Sequence, residues 1–136
     1  MSIGQTKVVD FVYIDSVTDD LVLVISDHLQ WTGNGVPWTD EDKEHLYLLQ
    51  EKIYGYLDFV ETGQIYETFP QGKGKPIIIA VHCKYPVSPE AQEFYFKFSS
   101  VVEDAGLKLR YGLFSKKNGS NLKRQILAWD GFGFDY

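Results

Sequence analysis

The chain has 136 residues, a length that predicts one domain burying about two-thirds of the surface of the unfolded chain. Its composition, 44% hydrophobic and 15% aromatic, excludes an intrinsically disordered protein. The net charge of −6 argues against a nucleic-acid partner, because such binding depends on clustered Lys and Arg side chains.

The sequence also lacks the marks of a secreted or membrane protein. Cys83 is the only cysteine, so no intramolecular disulfide is available. The N-terminus, MSIGQTKVVDF, has no basic start followed by an apolar run, and no stretch approaches the roughly 18 apolar residues of a membrane helix. We therefore expect a cytoplasmic protein with no membrane partner.

Two apolar runs open the chain. Residues 8–14 (VVDFVYI) are rich in β-branched and aromatic residues and predict a strand. Residues 21–25 (LVLVI) are apolar throughout and predict a strand buried on both faces. The polar residues between them predict a hairpin with a long loop, and an irregular connection rich in Gly follows.

A long amphipathic helix is the clearest predicted element. Over residues 44–60, aliphatic side chains recur at steps of three and four and form one face. Thr39 and the acidic residues that follow it predict the start of the helix, and Gly63 predicts its end. Residues 64–69 could add one short helical turn. The aliphatic face consists of Leu46, Leu49, Ile53, Leu57 and Val60.

A buried strand and a second helix follow. Residues 77–83 (IIIAVHC) predict the strand. Ser88 and Pro89 predict the cap and first position of the helix, and Gly106 predicts its end. The apolar face of this helix consists of Ala91, Phe94, Phe98, Val101, Val102 and Ala105.

The last part of the chain predicts one or two further strands. Residues 107–113 alternate between apolar and basic side chains, as in a half-exposed strand. Residues 125–129 predict a final strand, which would return after an Asn118-Gly119 turn. The element order is therefore β-β-α-β-α-β, with one more β if that strand forms. We expect residues 1–136 to form a single α+β domain, a two-layer sandwich in which a mixed β-sheet carries both helices on one face.

The C-terminal eight residues contain four aromatic side chains. If residues 131–136 form a mobile tail, these side chains make an apolar patch that mediates self-association. If the segment folds back, they complete the core instead. The sequence leaves both alternatives open.

Polar and aromatic residues cluster where the second strand is expected to end and the long helix to begin. Asp27, His28 and Trp31 follow the strand, and His45 opens the helix. Because strand ends and helix starts converge in such folds, these four residues are the candidate binding rim. Two histidines seventeen positions apart match no recognised metal-ligand spacing, so we assign no metal and no cofactor. The structural alternative is that Asp27 caps backbone amides and Trp31 covers the sheet edge.

His82 and Cys83 are adjacent, but neighbouring residues on a strand point to opposite faces and cannot form a catalytic dyad. We expect Cys83 to be a small buried side chain. His82 lies on a face that looks less covered, so we expect it to be accessible to solvent. Neither residue is predicted to be catalytic.

Three segments, VVDFVYID, ISDHLQW and EHLYLLQEKIYGYLDFVETGQIY, resemble a family of small bacterial proteins classed as a domain of unknown function. The likeness covers most of residues 6–113. It implies a bacterial cytoplasmic protein and supplies no activity. It directs attention to the polar and aromatic members of the pattern, which are Asp27, His28, Trp31, His45 and Gln50.

The sequence shows no nucleophile–base pair, no metal-ligand spacing and no phosphate loop. It therefore favours a non-enzymatic binding or interaction module. The partner would be another protein, as for an immunity-type protein that neutralises a basic toxin, or a second copy in a homodimer. The alternative is an enzyme or small-ligand-binding protein with a site near Asp27, His28 and His45.

Overall fold

The computed structural model describes residues 10–32 and 39–113. Within them the chain forms a four-stranded sheet, two long helices and two short helical segments. In chain order the elements are β1 (Phe11–Ile14), β2 (Leu21–Asp27), α1 (Asp40–Glu61), α2 (Gln64–Thr68), a 3-10 turn (Pro70–Gly72), β3 (Ile77–Cys83), α3 (Pro89–Asp104) and β4 (Lys108–Leu113).

The sheet is mixed and its strands lie in chain order, β1-β2-β3-β4. β1 and β2 form an antiparallel hairpin, whereas β3 is parallel to β2 and β4 is parallel to β3. The two helical crossovers, through α1 and through α3, step in the same direction along the sheet. Crossovers of one hand that step the same way place their helices on the same face, which explains where α1 and α3 lie.

One continuous core fills the space between the sheet and the two long helices. The odd-numbered side chains of β2 and β3 point into it and meet the inner faces of α1 and α3. This arrangement confirms the predicted α+β fold with both helices on one face of a mixed sheet. The fully enclosed members include Leu21, Leu23 and Ile25 of β2, Ile79 and Val81 of β3, Leu49 and Ile53 of α1, and Ala91 and Val102 of α3.

The helix ends confirm the predicted caps. The Thr39 hydroxyl accepts a hydrogen bond from the Asp42 amide at 3.1 Å, and the Ser88 hydroxyl accepts one from the Ala91 amide at 3.2 Å. Gly63 (φ 80°) and Gly106 (φ 90°) adopt the left-handed conformation just beyond α1 and α3. The short helical turn predicted within residues 64–69 is present as α2.

The inner face of α3 is rotated from the one predicted by counting aliphatic and phenylalanine side chains. Tyr95 is 1% exposed and stacks on Tyr111 of β4 at 3.9 Å between ring centroids. Val101, which was expected in the core, is 38% exposed. A tyrosine ring packs in a core as a phenylalanine ring does, so a face traced with aliphatic and phenylalanine side chains alone left Tyr95 out.

The second face of the sheet is also buried, contrary to one expectation. His82 was predicted to be accessible, yet it is only 8% exposed, and its neighbours Val22, Val24 and Ala80 form a small buried cluster.

The predicted strand at residues 125–129 and the C-terminal segment 131–136 lie outside the described residues. Among the helices of residues 10–32 and 39–113, none combines the length and apolarity needed to cross a membrane.

Candidate functional site

Asp27 and His45 form a buried pair at the carboxyl end of β2. The two carboxylate oxygens of Asp27 lie 2.8 and 2.7 Å from Nε2 of His45. A carboxylate oxygen accepts hydrogen bonds, so the ring N–H of Nε2 is the donor in this contact. The Leu29 amide donates to the Asp27 carboxylate at 3.1 Å, so the backbone just after β2 also binds this carboxylate. Both side chains of the pair are almost completely enclosed.

Trp31 completes this buried cluster. Its ring stacks on the imidazole of His45 with centroids 3.6 Å apart and planes inclined by 17°. The next residue is tied to the same helix, because the Thr32 amide donates to Asp42 at 2.8 Å. The chain that leaves β2 is therefore fixed to the first two turns of α1.

The structure brings together three of the four residues of the predicted rim. His28 is exposed and takes no part in the cluster. Nδ1 of His45 is buried and has no hydrogen-bond partner among the described residues. A ligand from solution would have to displace packed side chains to reach that nitrogen, because His45 is 2% exposed. Ligand binding at Asp27, Trp31 and His45 stays a prediction.

The described residues contain no cluster of three or more His, Cys, Asp or Glu side chains that could hold a metal ion. The cysteine and histidine of β3, Cys83 and His82, are both buried. Burial and the nearby Asp27 carboxylate raise the pKa of Cys83 to about 12, so its thiol is protonated at neutral pH. Burial lowers the pKa of His82 to about 4, so its imidazole is neutral.

A second buried polar network ties the start of β1 to the middle of α1. Nζ of Lys52 donates to the Asp10 carboxylate at 2.9 Å, and the other carboxylate oxygen accepts from the Ser26 amide at 2.8 Å. The Asp10 amide donates to the Tyr56 hydroxyl, which in turn donates to the Val24 carbonyl at 2.6 Å. Burial raises the pKa of Tyr56 above its usual value, so the phenol stays a donor.

The buried polar residues of α1 were missed in the sequence, apart from His45 of the candidate binding rim, because the inner face of α1 was traced with aliphatic side chains alone. Asp42, His45 and Lys52 are buried and continue the same steps of three and four as Leu49 and Ile53. The signal was present in the spacing. Charged residues at core positions of an amphipathic helix were the feature that pointed to buried partners.

The outer face of α1 carries a continuous line of acidic and tyrosine side chains, here named the acidic–tyrosine stripe. Its positions follow alternating steps of four and three from one end of the helix to the other. Tyr47 is 56% exposed and Tyr54 is 45% exposed. The acidic members are exposed, apart from half-buried Glu51, and none of them forms a salt bridge with a described residue. The stripe consists of Asp40, Glu44, Tyr47, Glu51, Tyr54, Asp58 and Glu61.

A family model matches residues 1–115 of the chain, a range that includes every described strand and helix. The chain belongs to the family of unknown function DUF6572. Comparison with curated proteins and with solved structures found no match. The description of DUF6572 gives no activity, so the function of this member has to be inferred from its own residues.

Among the described residues of this DUF6572 member, one cleft lies beside each edge strand of the sheet, and the lining of these two clefts includes neither Asp27 nor His45. One cleft of about 300 Å³ lies beside β1 and is lined mainly by apolar side chains, among them Phe59, Ile65 and Phe69. The other, about 490 Å³, lies between α3 and β4. Phe96, which is 78% exposed, lines its rim.

Proposed function

We propose that this protein is a non-enzymatic interaction module that binds a positively charged protein through the acidic–tyrosine stripe of α1. The observation that carries the proposal is the stripe itself, a line of carboxylates with no ion-pair partner among the described residues, interrupted by two exposed tyrosines along the whole of the longest described helix. We further propose that the protein acts in the bacterial cytoplasm, as expected from its sequence.

The C-terminal end of the stripe is unfavourable for the free protein, which supports a role in binding. Asp58 and Glu61 lie at the negative end of the helix dipole, and the last turn of α1 contains no basic residue. Each carboxylate there costs roughly 0.3–1 kcal/mol. The pair Asp40 and Glu44, four residues apart, adds a repulsion of about 0.2–0.5 kcal/mol. A cationic partner would remove these penalties when it binds.

The two tyrosines give the acidic surface a means of specific attachment. Tyr47 and Tyr54 present large rings on a rigid helix, and tyrosine is enriched among the residues that dominate protein interfaces. Their flanking carboxylates would attract a basic partner and orient it before contact. An interaction of this kind requires no chemistry from the protein, in agreement with the burial of Cys83, His45 and His82.

The alternative function is small-ligand binding or catalysis at Asp27 and His45. The direct contact between the two side chains favours it, since a carboxylate that orients an imidazole is a common part of active sites. Their burial disfavours it. A thermal-shift screen of small molecules tests the alternative, and a compound that stabilises the wild type and has no effect on His45→Gln would establish it.

A pair of charge-reversal variants tests the interaction proposal. D58K/E61K reverses two charges of the stripe at the end of α1. E103K/D104K makes the same change of charge at the exposed end of α3, whose last turn also lacks basic residues. Each purified protein is used as bait in a lysate of the native host, and bound proteins are eluted with rising salt.

We expect a basic protein that is captured by the wild type and by E103K/D104K, is absent with D58K/E61K, and elutes at elevated salt. Equal capture by both variants would show that net charge, and not the stripe, directs binding. Capture of no basic protein by the wild type would count against the proposal as a whole.

A further inference from the structure

We propose that residues 114–136 pack on the second face of the sheet, the face turned away from α1 and α3, and form its outer layer. The inference goes beyond the interaction proposed for α1, which lies on the other side of the sheet, and does not depend on it. The occupant is a segment of the chain itself that lies outside the described residues. Two observations support the proposal, the burial of this face and the shape of the buried area.

The centre of the second face is buried, although its buried cluster contains only residues of the four strands. Val22, Val24, Ile78 and Ala80 are each at most 4% exposed. Neighbouring strands lie side by side about 4.8 Å apart and leave the outer ends of their side chains uncovered, so a bare face would expose these residues to water. Strands that are buried on both faces have a covering layer on each face. These exposures are those of one chain alone, so the covering layer belongs to the same chain.

The buried area crosses the second face diagonally, and its position favours the segment that follows β4. Across the sheet at the end of β4, Gly112 and His82 are buried, Ser26 is half-buried and Phe11 of β1 is exposed. At the opposite end, Lys108 of β4 is exposed, whereas the residues of β2 and β3 on this face stay buried. A segment that leaves the end of β4 and turns over the adjacent strands would cover this area and leave the two exposed corners uncovered.

The other two parts of the chain outside the described residues fit this position less well. Residues 33–38 connect Thr32 to Thr39, whose hydroxyl oxygens are 2.6 Å apart at the start of α1. Both ends of that short segment therefore lie on the helical side of the sheet. Residues 1–9 precede β1 and would reach the second face past Phe11, which is 42% exposed. Residues 114–136 are therefore the segment that the burial favours.

Residues 114–136 also have the length and the composition for an outer layer. Three strand spacings separate β4 from β1, about 14 Å in all, and even seven extended residues span about 23 Å. The N-terminal segment MSIGQTKVV contains half as many large apolar side chains as residues 114–136. A docked segment would hide an apolar face that would otherwise favour association with other molecules. The large apolar side chains of residues 114–136 are Phe114, Leu122, Ile126, Leu127, Trp129, Phe132, Phe134 and Tyr136.

A photo-activated cross-linker on the second face identifies the covering segment in the full-length protein. Tyr13 of β1 is half-buried, packs against the buried cluster of this face and is distant in sequence from residue 114. It is replaced by p-benzoylphenylalanine. The matched control carries the same amino acid in place of Tyr47, which is exposed on the outer face of α1. Monomeric and dimeric products are separated, and the cross-linked peptides are identified by mass spectrometry.

We expect the monomeric product of the Tyr13 variant to join position 13 to a peptide within residues 114–136, and the control to give no cross-link to that segment. A cross-link from position 13 to residues 1–9 would overturn the proposal, because the N-terminal segment would then cover the face. A cross-linked dimer in place of the monomeric product would overturn it in favour of a second copy. Failure to find any cross-link between position 13 and residues 114–136 would refute it as well.

Chemical modification of histidine provides a second measurement on the full-length protein. Diethyl pyrocarbonate modifies accessible imidazoles, and the three histidines of the chain lie in three different surroundings. His28 is exposed, His45 is buried on the helical side of the sheet and His82 is buried on the second face. The rate at which each histidine is modified therefore reports separately on the surface, the main core and the proposed docking face.

Two variants complete this test. L127D/W129D places two carboxylates in the apolar part of the segment, and S120D/N121D adds the same charge in its polar part. We expect the histidine of β3 to be modified at least about tenfold faster in L127D/W129D than in the wild type or S120D/N121D, while the histidine of α1 stays protected. Unchanged protection of the β3 histidine in L127D/W129D would overturn the proposal. If the α1 histidine also reacts, the variant has lost its main core and the cross-link from position 13 decides.

Discussion

The buried pair of Asp10 and Lys52 provides the sharpest stability prediction. Their side chains are 2% and 0% exposed, and Nζ lies 2.9 Å from the carboxylate. Replacing Lys52 by Met removes the cation and leaves the Asp10 carboxylate buried with the Ser26 amide as its remaining donor among the contacts described above. Loss of one partner of a buried pair costs about 3–5 kcal/mol. That is a large fraction of the roughly 5–15 kcal/mol by which such domains are stable.

Substitution of the other partner, Asp10→Asn, should lower the free energy of unfolding by a similar amount, because it leaves the Lys52 ammonium group buried beside a neutral amide. In the double variant the two penalties should not add, because both charges are removed and no unpaired charge stays buried. We expect a coupling energy of about 2–3 kcal/mol from the double-mutant cycle.

Urea denaturation followed by circular dichroism measures the free energy of unfolding of the four proteins. The cycle uses the wild type, both single variants and the double variant, so each serves as a control for the others. Additive effects would refute the reasoning, because they would mean that the two side chains do not sense each other in the folded protein.

Three further predictions concern other buried groups. His45→Ala leaves the Asp27 carboxylate buried beside a cavity and should lower the free energy of unfolding by about 3–5 kcal/mol in urea titrations, and a cost under about 1 kcal/mol would exclude a tight pair. Burial lowers the pKa of His82 from 6.5 to about 4, so between these pH values the unfolded state binds the proton more tightly than the folded state. The free energy of unfolding should therefore fall by up to about 3 kcal/mol from pH 6.5 to pH 4. This pH dependence should be reduced in His82→Leu. Gly72→Ala would place a Cβ atom 2.5 Å from the enclosed Leu21 side chain and should cost about 1–3 kcal/mol, whereas an unchanged melting curve would show that Leu21 can move aside.

Much of the fold could be predicted from sequence because its local signals agree with one another. The boundaries of β3 and the caps of α1 and α3 follow from apolar runs, capping hydroxyls and glycines. The common face of the helices then follows from the handedness of the two crossovers. These features depend on neighbours in sequence or on general topology, so one chain is enough to predict them.

The buried polar contacts could be predicted only in part. The convergence of Asp27 and His45 followed from the general placement of strand ends and helix starts. Their burial did not, because it depends on Trp31, whose stacking on His45 is a tertiary contact. Lys52 was passed over for the same reason, since a lysine becomes a core residue only when a carboxylate such as Asp10 meets it there.

The acidic–tyrosine stripe was present in the sequence and was not recognised. Attention to the apolar side of an amphipathic helix assigns its other side to solvent, and acidic residues on that side are expected on most helices. What distinguishes the stripe is the regular spacing, the two exposed tyrosines and the lack of ion-pair partners for its carboxylates among the described residues. The exposure of the tyrosines and the ion pairing of the carboxylates can be read only from a structure.

One variant tests the central claim, that α1 supports the fold with its inner face and binds a partner with its outer face. D58K/E61K should raise the free energy of unfolding by about 1 kcal/mol, because lysines suit the negative end of the helix dipole, and should abolish binding of the basic partner. Both quantities are measured on one preparation, by urea denaturation and by isothermal titration calorimetry with the purified partner. A variant that is as stable as expected and still binds with wild-type affinity would contradict the account.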